Sequence, residues 1–179
     1  MVDVPQPSPS RLTPVSGSPV VVGVVPDQPS LVALTAASLV TATGRGRLCF
    51  GYADPARYAV EELPDGTVRH ASLDPDGVDD SWKATQSRIR RQLEETLRDV
   101  DVTWDLYYLA GRPDRALTHL ARAVDAATIV VGTREPGAEA RVRELLEGSV
   151  AAHLGHHQHR PVLVVPLSVV DWKVSAPWD

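Results

Sequence analysis

Five valines in six positions (Val20, Val21, Val22, Val24 and Val25) form a β-branched run with no polar alternation, the pattern of a strand covered on both faces. After Pro26-Asp27-Gln28-Pro29, Ser30 stands as an N-cap, and Leu31, Leu34, Ala37 and Leu39 recur at near-helical spacing up to Gly44 and Gly46. Arg47 to Ala53 is short, apolar and bounded by glycine and by Asp54-Pro55, as a second buried strand would be. Tyr58 to Leu63 and Thr67 to Leu73 alternate in polarity around Pro64-Asp65-Gly66, which predicts a β-hairpin inserted after that strand and projecting from the core. Trp82, Ile89, Leu93 and Leu97 then mark the apolar face of a charged helix. Val102 to Leu109 is a strand, and Pro113 opens a helix whose stripe is Leu117, Leu120 and Val124. Thr128 to Val131 is a buried strand, Ser149 to Gln158 a short helix and Pro161 to Val165 the final strand. Strands alternating with helices predict βαβ units, right-handed crossovers and a doubly wound parallel α/β sheet.

The two ends carry no such pattern. Residues 1–19 hold prolines at 5, 7, 9, 14 and 19 among serines, a flexible tail by composition, and the domain proper runs over residues 20–166. Residues 167–179 form a C-terminal tail in which Trp172 and Trp178 are the expected anchors on the body or on a partner.

The length of 179 residues suits one domain. Lys plus Arg total 18 and Asp plus Glu 23, a net charge of −5, which argues against a nucleic-acid binder. No apolar run approaches the roughly 20 residues of a membrane helix. There is no secretory pattern at the start of the sequence, and the lone Cys49 has no internal disulfide partner, so a reducing cytoplasm is expected.

Chemistry concentrates in one stretch. Ile129-Val130-Val131-Gly132-Thr133-Arg134 leads from a buried strand, through a long segment, to Gly148-Ser149-Val150 at the start of the last helix. A strand, a glycine-containing loop and a helix start together bind phosphate, because backbone N–H groups and the helix dipole both favour anions. With the Val22-Gly23-Val24 strand, the Gly111-Arg112-Pro113 turn and Arg160 to Pro166, this stretch resembles the universal stress protein family. The resemblance implies a five-stranded parallel sheet of the adenine nucleotide alpha hydrolase-like kind, a homodimer, and an ATP-binding pattern of Gly, two residues, Gly, nine residues, then Gly-Ser or Gly-Thr. Gly132 matches its first position and Gly148-Ser149 its last, while Glu135 stands at the second glycine and the segment is three residues longer. Where the family carries an Asp after the first strand, this chain has Val25, with Asp27 two residues on. Between Thr133 and Gly148, three arginines face four glutamates, so the loop is net negative.

Val25, Gly132, Gly148, Ser149 and Val150 are therefore the candidate nucleotide-site residues, with weak or absent binding of ATP or AMP, no required cofactor and no catalytic residue expected. His153, His156 and His157 share one helical face, yet no Cys lies nearby and imidazolium at a helix C-terminus complements the dipole, so no metal site is assigned. Neither a Gly-x-Ser-x-Gly elbow, a dinucleotide fingerprint nor a P-loop is present. Three functions remain open: a non-catalytic, stress-linked regulatory domain acting as a homodimer or on another protein; an ATP or AMP switch of the same fold; and a small hydrolytic or metal-dependent enzyme using Ser149 and the histidines.

Overall fold

The computed structural model describes residues 8–28, 30–44, 46–74, 81–133 and 150–167. In chain order the elements are β1 (Val20–Gly23), α1 (Leu31–Thr43), β2 (Arg47–Asp54), β3 (Arg57–Glu62), β4 (Val68–Ser72), α2 (Ser81–Thr96), β5 (Thr103–Ala110), α3 (Pro113–Ala123), β6 (Thr128–Gly132), α4 (Val150–His157) and β7 (Val162–Val165). The main sheet has the order β5-β2-β1-β6-β7, and every neighbouring pair is parallel. From β1 the chain winds outward to β2 and β5, then returns to β1's other side for β6 and β7. This is the expected doubly wound five-stranded sheet, with its switch point between β1 and β6.

The unbroken valine run is explained by coverage of both faces. Val20, Val22 and Val24 pack with Val32, Ala36 and Val40 of α1 and with Ile89 and Leu93 of α2. Val21 points the other way, with Cys49 and Ile129, onto Leu117 and Leu120 of α3 and Leu154 of α4. Cys49 is fully buried, and burial pushes its thiol up, so it is an inert core group.

Helix α1 keeps Ala37 and the partly buried Leu39 of the expected stripe and corrects its other two positions. Its buried residues are Val32, Ala33, Ala36, Ala37 and Val40, whereas Leu31 and Leu34 are exposed. The small side chains turn inward because the sheet beneath is already filled by valine, and leucine there would overpack it. Ser30 is also not a side-chain cap: its backbone is helical and its hydroxyl makes no capping bond.

Gly23 and Gly51 are register partners on neighbouring strands. A Cβ on either would meet Leu117, at 3.0 Å from Cδ1 for Gly23 and 2.9 Å from Cδ2 for Gly51. The pair is thus a notch in the sheet into which Leu117 seats α3.

The β3–β4 hairpin forms where the turn residues predict, antiparallel, with Asp65 accepting from the Thr67 backbone and hydroxyl. It does not project from the core as expected. Its turn folds back on α3: Gly66 has φ +88°, and a Cβ there would stand 2.7 Å from Leu120 Cδ1. Val68 packs against the α3 side of the core. At the hairpin's other end Arg57 is buried, donating from Nε to His70 Nδ1 at 2.7 Å, and His70 stacks edge-on against Trp82 of α2 at 5.0 Å. Tyr108 completes this group, with its ring 5.5 Å from Trp82 and its hydroxyl donating to Asp54 at 2.6 Å. Burial, reinforced by that carboxylate, raises the Tyr108 phenol well above its ordinary range.

Of the proline- and serine-rich stretch, residues 8–19 are described: a short 3-10 turn at Pro9–Arg11, a Ser16 hydroxyl on the Thr43 carbonyl at 2.9 Å, and Thr13 on Asp125 at 3.3 Å. Trp172 and Trp178 lie outside the described residues. Among the described residues no helix is long and apolar enough to cross a membrane.

Candidate functional site at the sheet switch point

Open α/β sheets bind ligands beyond the carboxyl ends of the strands where the winding reverses. Here that place is bounded by the loop after β1, the end of β6 and the start of α4. Val25 leaves β1 and is 51% exposed. Gly132 is the last residue of β6, and Val150 the first of α4. Gly148 and Ser149 fall outside the described residues.

The loop after β1 is held by α2. Asp27 has φ +58°, a left-handed conformation that Asp tolerates better than most residues. Its carboxylate is gripped by the Arg88 guanidinium, Nε donating to Oδ1 at 3.0 Å and Nη2 to Oδ2. Gln92, one helical turn on, accepts from the Asp27 N–H at 2.9 Å and donates to the Gln28 carbonyl at 2.8 Å. The nearest acid to the family's Asp position is thus tied to α2 of its own chain.

Gly132 is covered as well. A Cβ built there would meet Leu167 Cδ1 at 2.7 Å, Gln28 Nε2 at 2.9 Å and Val32 Cγ2 at 3.0 Å. The next residue, Thr133, spends its N–H on the Val165 carbonyl at 2.8 Å, and its hydroxyl accepts from the Leu167 N–H at 2.8 Å. A phosphate cradle needs open space beside the glycine and free N–H groups following it. On the α1 side of Gly132 the space is filled, and the first N–H beyond it is used.

The histidines give no metal cage. His153 and His157 stack with ring centroids 5.8 Å apart, and among the described residues no group of three or more His, Cys, Asp or Glu side chains is placed to hold a metal ion.

Val25 and Gly132, named from the sequence, border this place, and sequence reasoning missed the residues that hold the loop after β1 and cover Gly132. Arg88 and Gln92, spaced i and i+4 on α2, lie in the stretch the sequence marks only as a charged helix. Leu167, assigned to the tail, packs half-buried against the α1–α2 side of the core. An apolar residue directly after Pro166 was the available sign.

The sequence matches the universal stress protein family over residues 53–166. No curated protein matches it. Among solved structures, it is similar to a universal stress protein from Archaeoglobus fulgidus at 19% identity, with 84% of this chain and 94% of that one covered and a TM-score of 0.58. It is also similar to a universal stress protein in complex with cAMP (21% identity, 86% and 99% covered, TM-score 0.55). A third likeness is to a universal stress protein family protein from Arabidopsis thaliana with AMP bound (16% identity, 90% and 99% covered, TM-score 0.52). These likenesses establish the fold, and the family match extends from the end of β2 to the residue after β7. The chain belongs to the universal stress protein family.

Proposed function

We propose that this chain is a non-catalytic, stress-linked regulatory domain of the cytoplasm, acting as a homodimer or on another protein, with weak or absent adenine-nucleotide binding. The observation that carries the reading is the close approach of the chain's own Leu167 and Gln28 to Gly132. Two further features support it: the Asp27 carboxylate is committed to Arg88, and the segment after β6 departs from the family's glycine spacing. Each lost polar contact to a ligand is worth about 1–3 kcal/mol. Two such losses move a micromolar site toward millimolar, since about 1.4 kcal/mol is a factor of ten.

The alternative, an ATP or AMP switch, draws its support from the similar structures that hold AMP and cAMP. Thermal denaturation separates the two. At about 1 mM ATP or AMP, a millimolar site adds about 0.4 kcal/mol and raises the midpoint by about 1–2 °C. A micromolar site would add about 4 kcal/mol and raise it by about 8 °C or more, which would sink the regulatory reading in favour of the switch.

The dimer surface in this proposal is β7. It is the last strand of the sheet, its outer edge is unpaired among the described residues, and Leu163 and Val164 are 38% and 41% exposed. An apolar edge strand is a surface that natural sheets cover.

A further inference from the structure

A second concave site lies on the opposite face of the sheet from α1 and α2, between the hairpin, α3 and α4. It is a cleft of about 540 Å³, within the size range of small-molecule sites. Its α3 wall carries Arg115, His119 and Arg122, spaced i, i+4 and i+7 on one helical face, and α4 supplies His153 and His157.

The acids of the cleft are already engaged. Asp114 accepts from both Nε and Nη2 of Arg112, at 3.1 and 3.0 Å. Glu62 of β3 lies 3.1 Å from His119 Nδ1, while His119 Nε2 is buried with no hydrogen-bond partner among the described residues. Arg115 and Arg122, both exposed, make no ion pair among the described residues. Seven residues of helix separate them by about 10 Å along the axis. The lining sets Arg112, Arg115 and Arg122 against Asp114 and Glu62, so in a chain of net charge −5 this concave place carries an excess of positive charge, counting histidine as neutral in both.

We propose that this cleft binds a linear phosphate-bearing polyanion, with Arg115 and Arg122 taking terminal charges and the imidazoles lining the path between them. Guanidinium groups suit phosphate because their paired N–H donors match two phosphate oxygens at once. The site is separate from the switch-point crevice and does not depend on Gly132, so it stands whether or not the crevice accepts a nucleotide.

The probe is inorganic tripolyphosphate, titrated by calorimetry into ligand-free full-length protein. Two variants of equal charge change are compared: Arg115→Gln/Arg122→Gln in the cleft, and Arg91→Gln/Arg98→Gln, with the same spacing on the α2 side. The expected result is saturable binding by the unaltered chain, weakened at least about tenfold in the cleft variant and less than about twofold in the α2 variant. Circular dichroism and the denaturation midpoint establish that both variants are folded. ATP is the second arm: a tripolyphosphate-like dependence on Arg115 and Arg122 supports recognition of the phosphate chain itself, whereas loss of ATP binding only on Gly132→Val assigns that nucleotide to the crevice and leaves tripolyphosphate to decide the cleft. Equal weakening in both variants would reduce the effect to net charge and overturn the proposal, as would the absence of tripolyphosphate binding.

Discussion

Replacement of Gly51 by valine lowers the stability of the domain by about 2–3 kcal/mol, the range of overpacked core sites. The first added carbon would stand 2.9 Å from Leu117 Cδ2 and 3.1 Å from both Leu109 Cδ1 and Leu120 Cδ2. Valine adds two more methyl groups in the same crowded place. Its better strand propensity returns at most about 1 kcal/mol, so the clash decides the sign. Because Gly51 pairs in register with Gly23 beneath the same leucine, α3 has no neighbouring hollow into which to shift. Against a typical total of about 5–15 kcal/mol the loss is large. It is read as a lower urea midpoint at unchanged slope. A loss below about 0.5 kcal/mol would mean that Leu117 repacks freely and that the notch does not seat α3.

The second large effect is expected at β7. Val164→Lys converts the proposed homodimer to a monomer at tens of micromolar, an order-of-magnitude range for moderate interfaces. Val164 is partly exposed on the terminal strand, so lysine is readily accommodated in an isolated protomer and the fold is retained. In a strand-to-strand dimer the same position recurs on both copies. Two buried ammonium groups would then replace two apolar contacts, a combined change of about 3–6 kcal/mol from lost apolar burial and charge desolvation. That is a factor of about a hundred to ten thousand in the dissociation constant. Light scattering after size exclusion reads the outcome. A monomeric unaltered chain, or a dimer unaffected by Val164→Lys, would place any partner surface elsewhere.

The fold was legible because its signals are local and periodic. Short β-branched runs without polar alternation, bounded by turn residues, favour strands covered on both faces, and β1 and β6 are such strands, adjacent and parallel. The hairpin was announced by Pro64-Asp65-Gly66, but its docking was not. Burial of Arg57 and the approach of Gly66 to Leu120 depend on residues far apart in sequence, which no periodicity reports. The α1 stripe was misplaced for a related reason: leucine outranks alanine as an apolar signal, yet a valine-filled sheet selects the smaller residue. At the candidate site, Val25 and Gly132 were named for their place after buried strands. Arg88, Gln92 and Leu167 were not, since a helix-surface arginine and a residue beyond the last strand acquire their roles only when the loop after β1 and the end of β6 are brought side by side.

Titration calorimetry of ATP into protein freed of bound ligand tests the closed crevice most directly, with Gly132→Val and Ser149→Ala as companions. The expected dissociation constant from the crevice losses is high-micromolar to millimolar, two or more factors of ten weaker than a micromolar site. Because the added carbon of Gly132→Val would meet Leu167 Cδ1 at 2.7 Å and Gln28 Nε2 at 2.9 Å, that variant is read beside its denaturation midpoint, and any binding that remains is insensitive to Ser149→Ala. A low-micromolar constant that disappears on Gly132→Val or Ser149→Ala would contradict the account and show the crevice to be a working nucleotide site.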